Sequence, residues 1–345
     1  MSGAQPFAQA VVLWQRQHGR HELPWQNTRD PYRVWLSEIM LQQTQVATVL
    51  GYYRRFLLRF PDVAALAAAP EDAVLAEWSG LGYYSRARNL HRAARRVVAE
   101  HGGVFPGSAE QLAQLPGIGR STAAAIAAFC FGERVPILDA NVRRVLSRFL
   151  AFEHDLARAP HERALWGLAA GLVPERAGDM PAYTQGLMDL GASVCTAREP
   201  SCAVCPLESA CAARCSGEPE RFPVRSRKLL RKSESWWLLF LRESGGRVWL
   251  QRRPEPGIWA GLYCAPVFAD EEALLAHAAR KGARQLQAWA PVRHALTHRQ
   301  LLLHPVHMEL GTADLLEEGG SWFAPREWPT LGLPAPIRSM LADRR

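Results

Sequence analysis

Two carboxylates and a group of thiols are the residues of this chain whose types and spacing could do chemistry. Glu38 lies within DPYRVWLSEIMLQQTQV, where Val34, Trp35, Leu36, Ile39, Met40 and Leu41 leave little polar surface around it. A carboxyl in such surroundings is desolvated, which disfavours its charge, raises its pKa and keeps it protonated as a general acid near neutral pH. Spacing alone also permits an exposed Glu38, or one paired with any of the many arginines. Asp139, in PILDANVRRVL, precedes an amphipathic helix and occupies the place of its N-cap. Backbone N–H bonds and the helix dipole would hold it ionised and able to face a developing cation, although capping alone would account for it. One carboxyl raised and one lowered is the division of labour in glycoside hydrolysis. There an acid activates the leaving group and a carboxylate traps or stabilises an oxocarbenium ion. Cleavage of an N-glycosidic bond makes the same demands.

Five of the seven cysteines, Cys195, Cys202, Cys205, Cys211 and Cys215, crowd into one short stretch, leaving Cys130 and Cys264 apart. A disulfide framework fits poorly in a large cytosolic chain, whereas clustered thiolates in a reducing compartment bind metal. The first four give C-x6-C-x2-C-x5-C, which lacks the paired short hooks of a zinc ribbon. On spacing, iron and zinc both stay open. Cys215 falls outside that register and reads as a free surface thiol.

The elements that must position these groups change character along the chain. At 345 residues and 48% apolar content, the sequence should fold as two or three units with ample core. The first two-thirds read as helices punctuated by Gly and Pro, with Val142, Val145, Leu146, Phe149 and Leu150 at helical intervals. Ser108 can cap a short helix with Gln111 reaching back. Leu112 to Leu115 then lead into Pro116-Gly117-Ile118-Gly119 and an Ala-rich helix. In this helix, glycine hairpin, helix arrangement the glycines Gly117 and Gly119 permit positive φ and leave N–H groups unshielded. An anion such as a backbone phosphate can then sit against the hairpin and the second helix's positive end. Residues 221–232, RFPVRSRKLLRK, read as a basic interdomain linker. Beyond it, SWWLLFLRE and RVWLQRR are strand-like runs separated by Ser-Gly-Gly, a hairpin signal that opens an α+β domain. A net charge of +8 favours an anionic partner without choosing among nucleic acid, acidic lipid and plain solubility. No segment approaches ~18 consecutive apolar residues, and no secretory leader is evident. The expectation is a soluble cytoplasmic chain without a membrane partner.

The run LPGIGRSTAAAI resembles the helix-hairpin-helix of the endonuclease III and MutY superfamily of base-excision glycosylases, and the resemblance extends over most of the chain. It implies a six-helix bundle with the hairpin over about 29–137, an iron–sulfur subdomain from 1–28 and 138–215, a basic linker over 216–232 and a Nudix-like lesion-recognition domain over 233–345. It also implies that Glu38 donates a proton to an adenine leaving group and that Asp139 stabilises the sugar cation. Gln43, within LQQT, matches the residue that wedges into the stack as adenine flips out, and Tyr83, within LGYYSRARNL, resembles its partner on the damaged base's side. For both, plain packing or helix solvation is an equal reading. Gly117, Gly119, Arg120 and Ser121 fall on the hairpin's DNA-binding positions. Bifunctional enzymes of the superfamily carry lysine at the place of Ser121, and serine cannot form their imine, so the resemblance favours the monofunctional MutY branch. Arg143 stands where many MutY proteins have lysine, and arginine is too basic to form an imine.

Cys195, Cys202, Cys205 and Cys211 match the superfamily's 4Fe–4S loop and follow its Asp-Leu-Gly-Ala segment, here Asp189 to Ala192. The cluster's implied role is to hold basic residues such as Arg198 against phosphates. Arg88, Arg92 and Arg95 share a helical face that could add such contacts or simply be solvated. PGIWAGLYCAP resembles the family's Nudix-like domain, and no hydrolase box with its metal ligands follows. Leu296, Thr297 and His298 stand where many MutY proteins have a Phe-Ser-His loop. The hydroxyl and imidazole are kept for the lesion or its phosphate, and stacking by phenylalanine is lost. The implied partner is double-stranded DNA with A·8-oxoguanine or A·G mispairs, bound by a monomer. A bifunctional pyrimidine glycosylase-lyase and a noncatalytic iron–sulfur DNA-binding regulator are the alternative readings. Ser121 counts against the first and the intact carboxylates against the second.

Overall fold

The computed structural model describes residues 4–224, 226, 231–280, 285–310 and 319–343. The predicted linker therefore falls in part, at 225 and 227–230, outside the described residues. The chain divides into two compact units, Met1–Ala67 with Arg92–Lys228 and Ala68–His91 with Leu229–Arg345. The first is helical and the second is α+β, as the shift in periodicity from helical spacing to strand runs requires.

In the first unit the helix Pro31–Leu41 starts where sequence chemistry starts it. The Asp30 side chain accepts from the Tyr32 N–H at 2.9 Å, and Pro31 sits at a position whose N–H has no intrahelical partner. Its apolar side is fixed by the Tyr32 hydroxyl, which donates to the Phe60 carbonyl at 2.7 Å, and by Trp35, tilted on Phe105 with ring centroids 5.3 Å apart. The hairpin follows the predicted pattern, with helices Ala109–Leu112 and Arg120–Ile126 flanking it and Leu112, Leu115 and Ile118 buried. Ser108 caps the first helix by accepting from the Gln111 N–H at 3.3 Å. The Gln111 side chain accepts from the Ser108 hydroxyl at 3.1 Å.

A core of Val11, Val142, Leu146, Leu165, Tyr183 and Leu187 unites the helices Ala4–His18, Ala140–Phe149, Ala159–Ala170 and Met180–Asp189. Each such side chain contributes about 1.5–3 kcal/mol by leaving water. Gly186 sets the approach of the first and last of these helices. A Cβ there would fall 2.8 Å from Val11 Cγ1 and 3.1 Å from the Val11 carbonyl oxygen, so any side chain would force them apart.

In the second unit, the described residues form an eight-stranded mixed sheet around the parallel pair Lys232–Glu243 and Arg299–Leu310, in register from Lys232 opposite Arg299 to Glu243 opposite Leu310. The predicted Ser-Gly-Gly turn joins Lys232–Glu243 to the antiparallel strand Val248–Arg252, and Gly246 takes φ 82° there. Leu274 and Ala278 of the helix Glu271–Arg280 pack on Leu239, Leu241, Val306 and Met308 of the sheet. The strand Val292–Ala295 pairs antiparallel with Arg299–Leu310, with Ala295 opposite Gln300. Leu296, Thr297 and His298 are thereby confined to a tight turn, closed by the Leu296 N–H on the Arg299 carbonyl at 2.8 Å.

Candidate active site

Glu38 is half-buried on the helix Pro31–Leu41 and lines a cavity of about 410 Å³. Arg20, Trp25, Gln26, Arg29, Gln185 and Met188 complete the part of the wall that bears on chemistry. Burial pushes the Glu38 carboxyl from 4.5 up to about 8, and the Asp139 charge adds to the rise. Glu38 is therefore a protonated acid at neutral pH, as its apolar surroundings require.

Asp139 is the N-cap of the helix Ala140–Phe149, and its side chain accepts from the Val142 N–H at 2.7 Å. The expectation that capping would hold it below the ordinary carboxylate range is corrected here. Burial raises the Asp139 pKa, outweighing the backbone hydrogen bonds and the Arg144 and Arg143 charges that pull it down. Desolvation by distant chain segments thus exceeds the local stabilisation that the cap supplies. Asp139 lines a different cavity, of about 550 Å³, together with Ser121, Arg143 and Asp155. The two carboxyls interact electrostatically, the Asp139 charge adding to the rise at Glu38.

Ser121 stands at the start of the helix Arg120–Ile126, and its hydroxyl accepts the Leu138 N–H at 3.1 Å. It pins the irregular segment that leads into Asp139. Arg143 pairs with Glu162 and donates through Nε to the Leu138 carbonyl at 3.1 Å. Its cation is committed to the same segment. In the hairpin, Gly117 takes φ 77°, as anticipated. Gly119 does not, since its φ of −79° and ψ of 166° are ordinary extended backbone at the cap of the second helix. A Cβ at Gly119 would meet nothing within 4 Å, so this cap borders open space. The Arg120 guanidinium lies over the Trp166 ring, 4.0 Å from its centroid.

Cys195, Cys202, Cys205 and Cys211 all line one cavity with Val145, Leu190, Val194 and Leu207. Among the described residues, no three His, Cys, Asp or Glu side chains converge to hold a single metal ion. Cys215 is exposed. Two arginines that spacing did not single out grip this loop from the helix that Asp139 caps. Arg148 is 2% exposed, and it donates to Cys195 Sγ at 3.3 Å, to the Thr196 carbonyl at 2.6 Å and to the Ala197 carbonyl at 3.0 Å. Arg144 donates to the Cys195 carbonyl at 2.7 Å and to Asn141 Oδ1 at 2.9 Å.

The family model "HhH-GPD superfamily base excision DNA repair protein" matches residues 36–170, and a NUDIX domain model matches residues 237–343. The adenine DNA glycosylase of Buchnera aphidicola subsp. Acyrthosiphon pisum (strain APS) is 35% identical over 343 residues, covering 98% of this chain and 97% of the relative. The chain belongs to the adenine DNA glycosylase family. The human adenine DNA glycosylase is 37% identical over 356 residues, covering 87% of this chain and 64% of the human one. A thermostable thymine-DNA glycosylase structure matches with a TM-score of 0.54 at 29% identity, over 61% of this chain and 95% of that one. An endonuclease III–DNA complex, at 21% identity and a TM-score of 0.50 over 61% of this chain and 94% of that one, shares the fold.

Within this family fold, the described non-glycine residues with positive φ are Gln43, Tyr83, Ala151, Glu199 and Trp259. Gln43 and Tyr83 are exposed and lie in the left-handed region at φ 57° and φ 48°. Such conformations cost of order 1 kcal/mol each and persist only where the surroundings impose them. Gln43 belongs to the turn between helices Pro31–Leu41 and Val46–Arg59 of the first unit. Tyr83 belongs to the second unit, where its hydroxyl and Thr297 Oγ1 are hydrogen-bond partners. The structure thus joins two residues that the sequence offered separately. Arg86, also unforeseen, supports that loop from below. Its guanidinium lies 5.3 Å from the Trp78 centroid and 5.5 Å from that of Tyr83, and donates to the Leu81 and Gly82 carbonyls at 3.2 Å. Leu296 and Thr297 are half-buried and His298 is exposed. Arg88, one of the predicted basic stripe, is committed to the Ala260 carbonyl.

Among the described residues no helix is long and apolar enough to cross a membrane.

Proposed function

We propose that this chain is a monofunctional adenine DNA glycosylase that removes adenine mispaired with 8-oxoguanine or guanine from double-stranded DNA. The observation that carries the reading is Glu38, held up to about 8 at the wall of a cavity and biased further by Asp139. Adenine, flipped from the stack, enters that cavity. The Glu38 carboxyl gives its proton to a ring nitrogen of the base, and the bond between sugar and base breaks with its electron pair going to adenine. The carboxylate of Asp139 faces the sugar cation that this leaves, either as a counter-ion or through a transient acetal. Water then adds to the sugar carbon and gives up a proton, which completes the hydrolysis. As cationic charge develops beside Asp139 it favours the anion, offsetting the burial that raises its pKa in the free protein.

Ser121 supplies a hydroxyl where a lyase needs an amine, so no imine forms. Gly117, Gly119, Arg120 and Ser121 present the hairpin to phosphate. Gln43, on its strained turn, fills the gap in the stack. Tyr83, with Thr297 and its neighbours Leu296 and His298, reads the base opposite adenine.

Cys195, Cys202, Cys205 and Cys211 suit a 4Fe–4S cluster. A four-iron cube takes each thiolate on a different iron, so it needs four sulfurs around a cavity, whereas a single zinc needs them gathered on one point. The apolar lining and the Arg148 hydrogen bond to Cys195 Sγ fit a buried anionic cluster. When bound, the cluster ties the loop together and takes no part in the hydrolysis.

The test is single-turnover release of adenine from a duplex with A opposite 8-oxoguanine. Release by cluster-loaded wild type, strand scission only after alkali, no borohydride-trapped adduct, and loss in Glu38→Gln and Asp139→Asn are expected. No release from cluster-loaded protein would refute the reading.

A further inference from the structure

In the second unit, the loop that presents Tyr83 has few local means of holding its shape. It runs Ser79-Gly80-Leu81-Gly82-Tyr83-Tyr84 between the helices Glu71–Trp78 and Ser85–His101. Gly80, Gly82 and Tyr83 take positive φ, at 105°, 74° and 48°. Fixing two glycines in so short a loop costs more backbone entropy than fixing any other residues, and contacts from outside must offset it. Arg86 grips the far half through the Leu81 and Gly82 carbonyls. The entry is held by the C-terminal segment of the same unit. The Leu333 carbonyl accepts from the Ser79 hydroxyl at 2.6 Å and from the Tyr84 hydroxyl at 2.9 Å. The Tyr84 oxygen in turn accepts the Gly80 N–H at 3.2 Å. Arg338, on the helix Ala335–Ala342, donates through Nε to Ser79 Oγ at 2.9 Å. Its Nη1 and Nη2 donate to the Pro329 and Leu331 carbonyls, each at 2.8 Å. One guanidinium thus ties the loop's entry to the segment that carries Leu333. Gly332 lets that segment lie against the preceding helix, since a Cβ there would fall 2.6 Å from Leu75 Cβ. Ser79 is 8% exposed and Leu333 is fully buried, so these bonds lie where an unmade one costs most.

We infer that Arg338 sets the discrimination between bases opposite adenine, by holding through Ser79 and the Leu333 segment the loop that aims Tyr83. The inference rests on the reading of Tyr83 given above. Arg338 is a positioning residue, its guanidinium engaged with Ser79, Pro329 and Leu331 and none of it offered to a base. A base that is read by the aimed loop binds in proportion to the fraction of molecules whose loop holds that shape. 8-Oxoguanine carries a carbonyl at C8 and an N–H at N7 that guanine lacks, so it has more to lose when the reading loop is loosened.

The test measures single-turnover release of adenine opposite 8-oxoguanine and opposite guanine at sub-saturating enzyme, so that the rates report binding and release together. The proteins are cluster-loaded wild type, Arg338→Met, Ser79→Ala, Tyr83→Ala and the double variant Arg338→Met with Tyr83→Ala. Methionine keeps an unbranched stem and deletes the donors. Arg338→Met is expected to lower the ratio of the two rates about tenfold, the worth of one buried hydrogen bond to a charged group. Ser79→Ala breaks the same chain of bonds at its middle and should lower the ratio too, which keeps the idea testable if Arg338→Met does not fold. In the Tyr83→Ala background Arg338→Met should change the ratio no further, because the loop then has nothing to aim. A merely structural role would reduce both rates together in either background. An unchanged ratio in folded Arg338→Met or Ser79→Ala, or a further tenfold fall in the double variant, overturns the inference, while a lowered ratio in Tyr83→Ala still supports the reading of Tyr83. An unchanged ratio in Tyr83→Ala, or no adenine release by wild type, overturns that reading and the inference together.

Discussion

Replacing Glu38 with glutamine should abolish base release and, at the same time, make the protein more stable. In the unfolded chain the carboxyl loses its proton near 4.5, and in the folded protein it keeps it to about 8. Folding therefore takes up a proton between these values. The stability linked to Glu38 is complete below 4.5 and is lost progressively as pH rises to about 8. At pH 7 the loss comes to about 3 kcal/mol by linkage, and the opening of Glu38 to cavity water screens this to on the order of 2 kcal/mol. Glutamine has no charge to desolvate, so the variant avoids the loss. At about 2–4 °C per kcal/mol for a unit of this size, the melting temperature should rise by about 4–8 °C at pH 7. At pH 5 wild type and variant should nearly coincide. Base release should fall by about 10²–10⁴, the usual contribution of a general acid. The assay is a pair of thermal melts on cluster-loaded protein at pH 5 and pH 7, beside single-turnover release. Equal melting temperatures at pH 7, or a gap of the same size at both pH values, would refute the claim that Glu38 is desolvated.

Other outcomes follow from the same contacts. Arg148→Ala removes a buried cation from Cys195 Sγ and from the Thr196, Ala197 and Phe222 carbonyls; denaturant unfolding should show a loss of about 3–5 kcal/mol, and visible absorbance should show loss of the cluster. Gln43→Gly relieves a left-handed backbone at φ 57°, so stability should rise by about 1 kcal/mol while affinity for a duplex holding a mispaired adenine falls. Thr297→Val keeps the shape of the turn but deletes the partner of the Tyr83 hydroxyl. The preference for adenine opposite 8-oxoguanine over adenine opposite guanine should then fall about tenfold, measured as a ratio of single-turnover rates.

How much of the site was legible depended on the range of the interactions that build it. The desolvation of Glu38 was readable because its apolar neighbours lie within one helical turn of it. That of Asp139 was not. Its cap is local, but the segments that bury it are not, and their packing reverses the expected direction of its pKa. Gly117 met the left-handed requirement of the hairpin, whereas Gly119 serves as an open extended cap. A Gly-x-Gly pattern cannot tell these apart, because both conformations tolerate glycine. No local pattern singled out Arg148, since nothing in its neighbourhood shows that the cysteine loop lies against it.

The sequence by itself determined what short-range chemistry controls. It set the Asp30-Pro31 helix start, the hairpin flanked by two helices, the cysteine register, the Ser-Gly-Gly turn and the change from helical to strand periodicity. Hydrogen bonds and side-chain spacing within a few residues are sufficient for each of these. Tertiary structure alone decided the partnerships across long separations. Arg20 meets Asp189 across 169 positions, Tyr83 meets Thr297 across 214, and Gln26 shares a cavity with Gln185. No local pattern encodes such meetings, because they exist only once whole elements have packed and excluded water from the space between them.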